Sequence, residues 1–138
     1  MIEGRVLRAL IAVPMSAQRT LRRLFERCNA DFFDDYDRAA ASFRRRNYAA
    51  AVVGLQFAES RMFDFVCEVK SIRPSLRAVC VIATRSRLCE ASRRSTQTVL
   101  RAIGVEGLLD FTAESLSPKD QEAIDAIVAQ CQRTYSLV

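Results

Sequence analysis

Residues 49–57 read AAAVVGLQF, and this run decides the fold. Small and β-branched residues occupy both faces, without the polar alternation of a half-exposed strand, as a strand covered by helices on each side requires. Strands of that kind pair in parallel, and parallel pairing needs crossover connections, usually helices. The flanking sequence supplies both. Val6–Val13 is an apolar strand interrupted only by Arg8 and stopped by Pro14, Ala78–Ala83 is an unbroken strand, and Gly107–Phe111 is a shorter one. The segment DFFDDYD at 31–37 is a weaker second strand.

Helical spacing fills the gaps. Ala17, Leu21, Leu24, Phe25 and Cys28 share one face, Arg19, Arg22, Arg23 and Arg27 line the other, and Ser16 offers an N-cap. Arg38–Arg46 is a short helix with Ala39, Ala40 and Phe43 inward, and Arg44, Arg45 and Arg46 suit the negative end of its dipole. Met62, Phe65, Val66, Val69 and Ile72 form a third apolar face, ended by Arg73-Pro74-Ser75. In RSRLCEASRRSTQT the apolar pattern fades, so 85–98 is expected to be an extended loop or irregular helix, with helical spacing resuming over Val99–Ile103 and Gly104 as C-cap. Ser117-Pro118 opens the last helix, whose stripe is Ile124, Ile127, Val128 and Cys131. The order is β-α five times over. It predicts one domain over 1–138, a flavodoxin-like (βα)5 α/β three-layer sandwich with a parallel five-stranded sheet in the order 2-1-3-4-5. In that order the ligand or catalytic crevice lies outside the carboxyl ends of the strands.

Composition narrows the function. The chain has 138 residues, half of them apolar, 27% charged, with four glycines and three prolines, the balance of a globule rather than a disordered segment. Its apolar runs are strand-sized, far below the roughly 18 residues that cross a bilayer, and no leader opens it, so a soluble, cytoplasmic protein is expected, without a membrane partner. Ile2-Glu3-Gly4-Arg5 matches a recognition sequence of a protease used to trim fusion proteins, which marks residues 1–5 as an added segment. The net charge of +5 comes mainly from arginine and is modest for a nucleic-acid binder. Five scattered cysteines and no histidine exclude a four-ligand metal site of the usual spacing, and no metal or other cofactor is expected. Cys28, Cys67, Cys80 and Cys131 fall in apolar patterns, whereas Cys89 lies between Arg87 and Arg93, where a thiol can be activated. No GxGxxG or GxxxxGK[ST] cradles a phosphate. The densest carboxylates, Asp34, Asp35 and Asp37, fit a solvated turn, and a Ser-His or Cys-His nucleophile cannot exist without histidine, so an enzyme is not expected.

From RVLRALIAV through LRRLFE, from NYAAAVVGL through RPSLRAVCVIA, and from AIGVEGLLDF into LSPKDQEAI, the chain resembles the receiver domain of bacterial two-component response regulators. The resemblance implies where that family keeps its chemistry. An acidic pair after the first strand and an aspartate ending the third hold magnesium, and that aspartate accepts the phosphoryl group. A Thr or Ser after the fourth strand and a Lys ending the fifth read it out. Here the acidic pair falls on Ala12 and Val13, the acceptor on Gly54, the hydroxyl on Ala83 or Thr84, and the lysine on Asp110 or Phe111. Magnesium needs oxygen ligands and phosphotransfer needs a carboxylate nucleophile, so only Thr84 keeps its role.

The sequence therefore points to a pseudo-receiver, a phosphorylation-independent regulatory module that binds a protein partner or a second copy. The resemblance places that interaction on the face of helix 4, strand 5 and helix 5, with Arg85, Arg87, Arg93 and Arg94 as contacts. Two alternatives stay open. One is nucleic-acid binding through Arg19, Arg22, Arg23, Arg27 and Arg44–Arg46; the other is small-molecule or redox sensing, in the vacated pocket or at Cys89.

Overall fold

A computed structural model describes residues 7–82, 90–112 and 116–132. The run that opened the sequence forms β3 (Tyr48–Gly54), the middle of a five-stranded sheet, with every residue but Ala49 buried. Its neighbours are β1 (Arg8–Ala12) and β4 (Arg77–Ile82), and the edges are β2 (Ala30–Phe33) and β5 (Leu108–Asp110). All four pairings are parallel and the order is β2-β1-β3-β4-β5, as expected for the flavodoxin-like fold. Burial on both faces fixes the register, because a one-residue slip would exchange the two side-chain sets.

Five helices make the crossovers: α1 (Met15–Leu24), α2 (Tyr36–Arg45), α3 (Met62–Ile72), α4 (Glu90–Ala102) and α5 (Pro118–Gln130). One core layer joins Ala9, Ile11, Val52 and Val81 of the sheet to Leu21 of α1 and Ile124 and Ile127 of α5. The other joins Leu10, Ala51, Val53 and Cys80 to Phe43, Phe65 and Leu100 of α2, α3 and α4. Each fully buried side chain of this kind contributes about 1.5–3 kcal/mol.

Several boundaries depart from the expectations. α4 is regular from Glu90, so 90–98 is neither an extended loop nor irregular. Among the described side chains of α4 only Leu100 is buried, which explains why the apolar period fades there. Pro14, not Ser16, caps α1, without a side-chain hydrogen bond. β1 ends at Ala12 and β3 at Gly54, where a run of turns begins. Ile72 is exposed at the end of α3, and Cys67 is exposed rather than packed. Two caps follow the sequence chemistry. Ser117 accepts the amide of Asp120 with Pro118 in the first turn, and Asp35, taken as part of a solvated turn, accepts the amide of Arg38 and so caps α2.

Among the described residues no helix is long and apolar enough to cross a membrane, and no cluster of His, Cys, Asp and Glu is placed to hold a metal ion.

Candidate functional site

The carboxyl ends of β1, β3 and β5 bring Ala12, Val13, Gly54 and Asp110 to one end of the sheet. Ala83 and Thr84 lie outside the described residues, as do Arg85, Arg87 and Cys89. Ala12 and Val13 are completely buried, and Val13 donates its amide to the Phe33 carbonyl at 3.0 Å. The space beside Gly54 is not vacant. A β-carbon added there would stand 3.2 Å from Val13 Cγ1 and 3.3 Å from Pro14 Cδ, closer than ordinary contact. Val13 and Pro14 therefore crowd the place that an acceptor side chain at Gly54 would need.

The donor set also fails for magnesium. Ala12, Val13 and Gly54 contribute no side-chain oxygen, and a hard cation demands several. Asp110 supplies the one carboxylate at these three strand ends, and it is engaged. Its Oδ1 accepts the Thr112 amide at 2.8 Å and the Thr112 hydroxyl, while Oδ2 pairs with Arg93 at 3.1 Å. Partial burial pushes its pKa up, but the Thr112 hydrogen bonds and Arg93 outweigh that, and the net shift is downward. Of the two positions where the resemblance places a lysine, Asp110 bears a carboxylate with its counter-ion supplied from α4, and Phe111 is partly buried, donating its amide to the Ile82 carbonyl at 2.8 Å.

Gly54 leads into a loop under strain. Its carbonyl accepts the Phe57 amide at 3.0 Å, and Leu55 donates to the Val81 carbonyl at 2.9 Å. Ala58, Glu59 and Ser60 then follow in the left-handed region at φ 50°, 58° and 70°. Each of these non-glycine residues costs about 1–2 kcal/mol relative to a right-handed conformation. Buried Phe57 anchors the loop against Phe65 and Tyr36. Arg61 covers the Tyr36 ring at 3.9 Å, and the Tyr36 hydroxyl donates to Glu68 at 3.0 Å. Burial first, then Glu68, raises the Tyr36 phenol to about 12.

The arginines singled out in the sequence have separate fates. Arg93 is committed to Asp110, and Arg94 lies exposed on α4. A groove of about 350 Å³ between α4 and α5, over the start of β5, is lined by Gln97, Arg101, Leu108, Lys119 and Glu122. Arg19, Arg22, Arg23 and Arg27 are all exposed. Arg22 stacks on Phe32 at 4.3 Å, Arg44 pairs with Glu68 at 3.1 Å and Arg46 with Asp31 at 3.8 Å. These contacts reduce the charge and the open aromatic surface left for a nucleic acid.

A polar network went unseen in the sequence. Arg8 donates twice to Asp31, at 2.9 and 2.8 Å, and the Tyr48 hydroxyl donates to the same carboxylate at 2.7 Å. With its proton directed there, Tyr48 accepts from Ser42 at 2.6 Å. The signal was Arg8 itself, a charge interrupting an apolar strand, which needs a paired partner when half-buried.

No protein-family model matches the chain, and no curated protein matches it by sequence. Solved structures do. It is similar to a CheY-like response regulator receiver domain protein from Methanospirillum hungatei JF-1 (TM-score 0.64, 12% identity, 90% of this chain and 98% of that one). An orphan response regulator of H. pylori is equally close in shape (TM-score 0.64, 13% identity, 94% of this chain and 100% of that one). A response regulator from Burkholderia pseudomallei, whose structure holds a phosphorylated aspartic acid, aligns at TM-score 0.63 and 15% identity over 91% of this chain and 66% of that one. The fold is that of the receiver domains.

Proposed function

We propose that this chain is a receiver-type signalling regulator that has given up phosphotransfer and acts as a protein-interaction module. The observation that carries this reading is Gly54, a residue with no side chain to phosphorylate, packed against Pro14 and against Val13, one of the two positions where the acidic pair would stand. Three substitutions at one site remove the nucleophile, the cation ligands and the space together. The proposed interaction face is α4–β5–α5, supported by the groove between α4 and α5 and by Arg94, exposed on α4. The Arg93–Asp110 pair ties α4 to β5 without reference to a phosphoryl group. On this reading the protein is cytoplasmic and is not an enzyme.

The test is incubation with acetyl phosphate, and separately with beryllofluoride, in the presence of magnesium. Unchanged intact mass and unchanged amide chemical shifts are expected; a stable acyl phosphate would overturn the proposal. The output is tested by sedimentation at increasing salt. Self-association that persists in high salt supports the interaction module, whereas binding to RNA or DNA that falls steeply with salt supports the arginine stripes instead.

A further inference from the structure

The edge opposite β5 carries a second groove, of about 700 Å³, running along β2 between α1 and α2. Asn29 and Phe33 turn their carbonyls inward, accepting from Ala9 and Val13 at 2.8 and 3.0 Å. N–H and C=O of one strand residue point the same way and alternate along the strand, so those of Ala30 and Phe32 face outward. Natural sheets cover or blunt such an edge. Here the edge is flanked by charge of one sign. Exposed Arg22 stands on the α1 bank, and exposed Arg38, Arg45 and Arg46 stand on the α2 bank. The only lining carboxylates are Asp31 and Asp37, and Asp31 is already held twice by Arg8. Arg46 also reaches Asp31, at 3.8 Å, so the positive surplus is carried by Arg22, Arg38 and Arg45 against Asp37.

We infer that the outer edge of β2 takes up an extended acidic segment of a partner protein as an added strand. Main-chain hydrogen bonds to Ala30 and Phe32 would align it, and every second side chain would meet the α2 arginines. A second copy of this chain is disfavoured, since two β2 edges would bring the same arginines together. A nucleic acid is disfavoured because it cannot satisfy the alternating N–H and C=O groups and because the Phe32 ring is already covered by Arg22.

The experiment uses the full chain and a labelled peptide alternating Glu and Val, followed by fluorescence anisotropy and by amide hydrogen exchange. Expected are saturable binding, slowed exchange at the Ala30 and Phe32 amides, and abolition of binding when alternate peptide nitrogens are methylated. Arg38→Ala with Arg45→Ala should weaken binding about tenfold, as lost charge-assisted contacts imply. Both side chains are exposed, and a circular dichroism spectrum identical to that of the unsubstituted chain verifies the fold. Absence of peptide binding overturns the inference, as does binding indifferent to methylation, which would be charge alone. Tighter binding of a single-stranded DNA oligonucleotide with the same arginine dependence also overturns it.

Discussion

Restoring a carboxylate at Gly54 should break the fold's economy rather than its silence. In Gly54→Asp the new β-carbon meets Val13 Cγ1 at 3.2 Å and Pro14 Cδ at 3.3 Å, an overpacking that costs about 1–3 kcal/mol. The carboxyl group then lies among buried apolar residues with no cation ligands nearby, adding about 1–3 kcal/mol for an unsatisfied polar group. A total of about 2–6 kcal/mol is a large share of the roughly 5–15 kcal/mol that holds a domain together. Gly54→Ala is the control, since it keeps the contact but not the polar group. Its strain is partly offset by about 0.5–1 kcal/mol of unfolded-state entropy, so it should cost about 0–2.5 kcal/mol, less than the aspartate. The penalty in the aspartate variant also has a sign in pH. Burial raises a carboxyl pKa above its unfolded value near 4, so stability is full below that value and is lost as pH rises through the folded one. Urea unfolding followed by circular dichroism at pH 5 and pH 8 measures both effects. An aspartate variant as stable as the alanine control at pH 8, or one indifferent to pH, would refute the packing described for this site.

Asp31→Asn tests the polar network. Hydrogen bonding from Arg8, ahead of the opposing burial, lowers the Asp31 pKa, so its contribution is present above the ordinary aspartate value near 4 and fades as pH falls below it. A loss of about 1–2 kcal/mol at pH 7, discounted for partial exposure, should shrink as pH falls below that value in denaturant titrations. Burial raises Cys80 to about 12 and Cys131 to about 11, whereas Cys67 is exposed. Among Cys28, Cys67, Cys80 and Cys131, thiol labelling of the native protein, mapped by peptide mass, should therefore modify Cys67 first and reach the other three only on unfolding. Burial is likewise the main cause that raises Tyr36 and Tyr48 to about 12, so stability should decline as pH climbs from about 10 through 12, with phenolate absorbance appearing late in the native state. Glu59→Gly should stabilise the chain by about 0.5–1 kcal/mol in the same urea assay, by relieving a left-handed residue at φ 58°.

What was legible in the sequence followed from burial. β3 announces itself because a strand covered on both faces has no choice but small and branched residues, and the sheet order followed from the alternation of such strands with amphipathic helices. The vacancies at Ala12, Val13 and Gly54 were legible by position, but not that Val13 and Pro14 close the space, which depends on a 3.2 Å approach across the sheet. α4 was hidden because only Leu100 anchors it, so its helical period has almost no apolar signal. With the first turns of α4 read as an extended loop or irregular helix, the Arg93–Asp110 pair could not be foreseen either. The β2 groove was missed for a similar reason: Arg22 and Arg45 lie on different helices, and only the crossover of α1 and α2 past one edge strand sets them on facing banks.

The magnitudes decide what holds α4 in place. Arg93 and Asp110 are about 36% and 23% exposed, and a solvent-screened pair of this kind is worth about 0–1 kcal/mol. Leu100, fully buried in the layer that also holds Leu108 and Ile82, contributes about 1.5–3 kcal/mol. Apolar packing therefore sets the position of α4 against the sheet, and the ion pair selects the direction in which one arginine points. On the proposed reading, the position of α4 rests on the packing of Leu100 rather than on an ion pair at the strand ends.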